Sequence, residues 1–132
     1  MPQASASVTQ YVARLEVHNA QGLKATDYAN TSDPYVAVKY GNMLVGKTAT
    51  KKRTISPDWG QHFLFGPVFH GRQIFIEVWD CDPLGYDECL GCASLNVENS
   101  AGLKKTFVLN PRPNHEHRDL NITGVLIISY DI

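Results

Sequence analysis

The sequence predicts an all-β fold, an antiparallel sandwich or barrel of about eight short strands. Two observations carry this. Apolar residues recur with period two, and no ten-residue window shows a helical stripe. Clusters of Pro, Gly, Asn and Asp then punctuate the pattern at short intervals. No segment offers a helix long enough for the crossover that a parallel pair requires.

From Tyr11, the residues Tyr11, Ala13, Leu15 and Val17 alternate with Arg14, Glu16 and His18, a half-buried strand. Pro34 to Tyr40, rich in Tyr and Val, is the second. Asn42 and Gly46 bracket a turn and a short strand that continues to Thr50. Phe63-Leu64-Phe65 is expected to end at Gly66-Pro67. Gln73 to Trp79 sets Ile74, Ile76 and Val78 against Phe75 and Glu77. Leu90 to Val97 and Lys104 to Leu109 follow, and Val125 to Tyr130 closes the chain as a strand apolar on both faces. Pro111 to Asp119 is expected to be a polar loop. Residues 1–10 are expected to form a flexible lead and residues 11–132 one domain.

Composition removes several classes of function. Twelve Lys plus Arg against 13 Asp plus Glu leave a net charge of −1, without the basic excess of a general nucleic-acid binder. At 43% hydrophobic residues the chain is too apolar for a disordered tail. No long apolar run spans a membrane, and MPQASASV has neither the basic start nor the apolar stretch of a signal peptide. Cys81, Cys89 and Cys92 are an odd count, which favours reduced thiols and a cytoplasmic setting; removal of a leader would make the protein secreted instead. Cys89-Leu90-Gly91-Cys92 has the C-x-x-C spacing, but an offset of three on a regular strand is expected to place the thiols on opposite faces. No G-x-S-x-G, H-E-x-x-H or P-loop is present, and no enzyme is expected.

Two stretches depart from the near-neutral average. Residues 27–33 hold Asp27 and Asp33, and residues 80–88 hold Asp80, Asp82, Asp87 and Glu88, with no Lys or Arg in either. Asp80 and Asp82, two apart at a strand end, point to one side if the backbone is extended. Such like charges call for neutralisation, and a hard divalent cation that takes six to eight oxygens at about 2.3–2.6 Å suits them; the lack of His or thiolate at the matching positions disfavours zinc. The plain alternative is a pair of soluble Asp-rich turns.

The sequences around these acids carry a resemblance. Gly22-Leu23-Lys24-Ala25-Thr26-Asp27 with Thr31-Ser32-Asp33-Pro34-Tyr35-Val36 resembles the first calcium loop of C2 domains. Ile76-Glu77-Val78-Trp79-Asp80-Cys81-Asp82, then Asp87-Glu88-Cys89-Leu90-Gly91, resembles their third loop. Ser56-Pro57-Asp58-Trp59 with Phe63 and Phe65 is similar to the family's N-P-x-W…F-x-F segment. The resemblance runs from about Tyr11 to the end and implies an eight-stranded antiparallel β-sandwich. Because the G-x-L-x-x-x-Y strand, Gly124 to Tyr130, comes last rather than first, it implies the second (type II) topology of the family. The third loop looks closest to that of perforin-type members.

Carried onto this chain, the resemblance implies Ca2+ as the bound cation, with Asp27, Asp33, Asp80, Asp82 and Glu88 as ligands and Asp87 as a substitute or addition. Glu88 departs from the family, which most often has Asp there. Leu84 and Tyr86 at the third loop's tip, with Tyr28 in the first, would face a bilayer. Leu84 alone could contribute roughly 1.5–3 kcal/mol on burial. Lys39, Lys47, Lys51, Lys52 and Arg53 correspond to a basic face that meets anionic phospholipid, or else form a solvated edge that deters strand pairing. The implied function is a calcium-dependent membrane-binding module. The alternative is a protein-interaction or scaffold domain of the same fold whose cation is structural.

Overall fold

In the computed structural model, which describes residues 10–27 and 29–132, eight strands form two four-stranded antiparallel sheets. In chain order they are β1 (Gln10–Gln21), β2 (Pro34–Tyr40), β3 (Met43–Lys47), β4 (Asp58–Phe69), β5 (Gln73–Asp80), β6 (Glu88–Asn96), β7 (Ala101–Val108) and β8 (Val125–Asp131). One sheet runs β4-β1-β8-β7 and the other β3-β2-β5-β6. The final strand therefore lies inside a sheet, between β1 and β7, as the late G-x-L-x-x-x-Y segment implied. Apart from Gln10, which opens β1, the lead expected over residues 1–10 lies outside the described residues, as does Tyr28.

The alternation seen in the sequence becomes the division between core and surface. Ala13, Leu15 and Val17 of β1 and Leu126, Ile128 and Tyr130 of β8 face Val36, Val38, Ile74, Ile76 and Val78 of the other sheet. All are buried, and each large side chain removed from water is worth about 1.5–3 kcal/mol before entropy is counted. On β8 the alternate residues Val125, Ile127 and Ser129 are half-buried.

Two expectations are corrected. Strand β4 does not end at Gly66-Pro67 but continues to Phe69. A register shift places Tyr11 opposite Val68 and Ala13 opposite Phe65, so the extra residue bulges where the proline cannot donate to the ladder. A second shift moves the thiols. Trp79 pairs with Cys89 and Glu77 with Cys92, and the extra residue on β6 is taken up around Leu90-Gly91. Because Trp79 and Glu77 share a face, so do Cys89 and Cys92. Gly91 makes this bulge possible: its φ is +139°, and a Cβ there would meet the Leu109 Cβ at 2.7 Å.

Register also fixes the end that matters. Gln21 pairs with Val125, Asn19 with Asp58, Pro34 with Asp80, and Asp80 with Glu88. The connections 22–33, 48–57, 81–87 and 109–124 therefore leave the same end of the sandwich.

Candidate functional site

Backbone hydrogen bonds tie these connections together. Leu23 N–H donates to Ile55 O, Thr54 N–H to Ser32 O and Lys51 N–H to Pro34 O, each at 2.9 Å. Cys81 N–H donates to Asp33 O, also at 2.9 Å, joining the two acidic loops. Trp59 of the S-P-D-W segment, at the start of β4, donates its indole N–H to Pro34 O at 3.4 Å, tying that end of β4 to the start of β2. At Gly124 (φ +96°) a Cβ would sit 2.6 Å from Gln21 O, so segment 109–124 can close on the first loop only through glycine.

Each acidic side chain has a protein partner. Asp27 accepts from Ala29 N–H and Thr31 N–H at 2.9 Å and from the Thr31 hydroxyl at 2.7 Å. The Thr31 hydroxyl and then its backbone N–H hold the Asp27 carboxyl below its ordinary pKa. Asp80 accepts from Asp33 N–H and from the Thr26 hydroxyl, both at 2.7 Å. Asp33 accepts from Arg53 N–H at 2.8 Å, and Asp82 from Leu84 N–H at 2.9 Å. Asp87 accepts from Asp82 N–H at 2.9 Å and from the Tyr35 hydroxyl; these bonds lower its pKa, while burial and then Asp87 raise that of Tyr35. Glu88 forms an ion pair with Lys24 at 2.7 Å.

The carboxylates therefore share one end of the molecule without closing into a cage: among the described residues, no three His, Cys, Asp or Glu side chains stand together as a metal site. The chemistry of the donors nonetheless fits a hard cation. The Asp27, Asp33, Asp80, Asp82 and Glu88 side chains offer carboxylate oxygens only, and an oxygen that accepts one hydrogen bond keeps a second lone pair.

At the tip of segment 81–87, Leu84 is 98% and Tyr86 97% exposed. The five basic residues fall into two groups. Lys39 pairs with the buried Glu77 at 2.9 Å, and Lys47 lies 5.4 Å from the centre of the Tyr35 ring, both on the outer face of the β3-β2-β5-β6 sheet. Lys51, Lys52 and Arg53 are exposed on segment 48–57, beside the first acidic loop.

Three contacts escaped the sequence. The Lys24–Glu88 pair joins residues far apart in the chain, and Lys24 lies just outside the acidic stretch as drawn from composition. Arg112 and Asp119 form a bidentate pair, both bonds 2.9 Å, and the Arg112 guanidinium stacks 4.7 Å from the Trp79 ring centre. The expected polar loop is thus an ordered strap on the sheet. Beneath it Cys89 and Cys92 are free thiols whose pKa values burial pushes up to about 12 and about 11, which makes them poor nucleophiles. Thirdly, Ser129, His18 and Glu16 line up at 2.8 and 3.2 Å on the outer face of the other sheet. That row resembles a nucleophile relay, but β1 and β8 are both interior strands whose backbone N–H groups serve the ladders rather than a preorganised oxyanion site.

The family model for the C2 domain matches residues 12–117. The chain belongs to the C2 domain family. This C2 domain is 33% identical over 84 residues to RasGAP-activating-like protein 1 of Mus musculus, covering 64% of the chain and 10% of that protein. It is 33% identical over 116 residues to synaptotagmin-3 of Arabidopsis thaliana, covering 83% of the chain and 22% of that protein. The chain thus spans from about a tenth to about a fifth of these curated relatives. Among solved structures, a C2 domain of plant extended synaptotagmin 1 superposes with a TM-score of 0.76 at 21% identity, covering 90% of this chain and 91% of that one. The calcium-bound pair of C2 domains from extended synaptotagmin 2 gives a TM-score of 0.73 at 26% identity, covering 91% of this chain and 44% of that one. Among the described residues no helix is long and apolar enough to cross a membrane.

Proposed function

We propose that this C2 domain is a calcium-dependent module that docks on anionic phospholipid membranes, recruited to them from the cytosol. The observation that carries the reading is the third-loop tip. Leu84 and Tyr86 are almost fully exposed between Asp80 and Asp82 on one side and Asp87 and Glu88 on the other. Such apolar groups gain nothing from water and have an acyl boundary as their natural partner. Without a cation, six acids on the two loops repel an anionic surface.

Asp27, Asp33, Asp80, Asp82 and Glu88 would hold Ca2+, with Asp87 beside them, and the ion would supply neutralising charge and a bridge to lipid phosphate. Lys51, Lys52 and Arg53 on the adjoining segment would meet anionic headgroups, each worth about 1 kcal/mol. Lys39 and Lys47 on the sheet face would extend that contact, and Tyr28 would add an aromatic ring at headgroup level. A scaffold domain with a purely structural cation is less well supported, because hydrogen bonds within the protein already hold the loop acids.

Co-sedimentation with phosphatidylserine-containing vesicles tests the proposal. Wild type is expected to pellet in calcium and stay in solution with chelator, and the double variant Asp80→Asn/Asp82→Asn to stay in solution in both. Equal pelleting of the two proteins in calcium would sink the reading.

A further inference from the structure

We infer that Lys24 is an internal rival of the cation for Glu88, so that the Lys24–Glu88 pair sets the calcium level at which the loops assemble. The inference rests on the calcium reading above and names a control element within that site. Lys24 Nζ lies 2.7 Å from Glu88 Oε2 and donates to Leu120 O at 2.9 Å. One ammonium thus pins the first acidic loop, the first residue of β6 and segment 109–124. The Lys24 side chain is 20% and the Glu88 side chain 49% exposed, so water reaches the pair mainly from the carboxylate side and screens it in part.

Glu88 differs from the other loop acids in the kind of partner it has. Asp27, Asp33, Asp80 and Asp82 accept from neutral N–H and O–H donors, and the oxygens can share those bonds with an ion. Asp87 likewise accepts from Asp82 N–H and the Tyr35 hydroxyl. Glu88 contacts a full positive charge. An ion ligated at about 2.3–2.6 Å by a carboxylate still touching Lys24 would stand within a few ångströms of the ammonium, where like charges repel strongly. Glu88 therefore serves the ion better once it is released from Lys24 to join Asp80, its register partner.

The departure from Asp at this position acquires a physical sense. Glu is one methylene longer, and the extra length carries its carboxylate across to the first loop. Glu88→Asp would keep a carboxylate of the family's usual kind while shortening its reach to Lys24. Lys24→Met would keep the side-chain stem and remove the charge.

Calorimetric calcium titration of the whole chain decides the matter, with thermal melts in chelator to establish that each variant is folded. Lys24→Met and Glu88→Asp are each expected to bind calcium about two- to tenfold more tightly than wild type. Lys24→Arg should stay close to wild type, and the double variant Lys24→Met/Glu88→Asp should gain little over either single one, since the pair can be broken only once. If wild type binds calcium and Lys24→Met binds it with equal or lower affinity, the rivalry is overturned while the calcium reading stands. If neither wild type nor any variant binds calcium, both fall together.

Discussion

Asp119 is buried yet ionises more readily than a free carboxyl. Burial opposes its charge, but the side-chain and backbone hydrogen bonds and the charge of Arg112 together outweigh that and bring its pKa down to about 2. Since the folded value lies below the unfolded one of about 3.9, the pair stabilises the fold above pH 4 and loses that contribution as the pH falls from 4 to 2. Between pH 6 and pH 2 wild type should therefore lose about 2 kcal/mol more than Asp119→Asn, read from urea unfolding at each pH. Parallel losses in the two proteins would show that the strap does not depend on this charge.

At the scale of elements, the strands were legible because alternation reports burial directly. Tyr11 to Val17, Pro34 to Tyr40 and Gln73 to Trp79 became β1, β2 and β5 nearly as drawn. Bulges were not legible: a single extra residue on β6 flips every later side chain, and nothing in the spacing of Cys89 and Cys92 announces it. The acids of the site were visible as composition, whereas Lys24 and Arg53 were not visible as their neighbours, because pairing across loops depends on tertiary closure. Segment 81–87 is the element whose tip the sequence placed in full view. Leu84→Ala/Tyr86→Ala removes apolar area without touching a carboxylate, so it should weaken vesicle pelleting in calcium at least tenfold, given about 1.5–3 kcal/mol for one buried Leu, and leave calcium affinity without lipid unchanged. Undiminished pelleting would place the bilayer contact elsewhere.

For the whole molecule the net charge of −1 is a cancellation: six acids on two loops against an excess of five bases elsewhere. Those loops are tied by hydrogen bonds to one another and, through segment 48–57, to β1 and β2, so a ligand held there acts on the stability of the entire sandwich. Calcium at 100 times its dissociation constant should stabilise the fold by about 2.7 kcal/mol and raise the melting temperature by several degrees, read by calorimetry against chelator. A melt indifferent to calcium would dissociate the loops from the fold.

The bulge at Leu90-Gly91 has one more consequence, for chemistry performed on the protein from outside. It places two thiols on one face of the sheet, beside Arg112 and Asp119, while Cys81 is half-buried at the base of the third loop. An alkylating reagent therefore meets one thiol at the folded protein's edge and two only when the strap lifts. The cysteines form a stopwatch, with the rate at Cys89 and Cys92 timing an opening of residues 111–119 and the rate at Cys81 timing the loop.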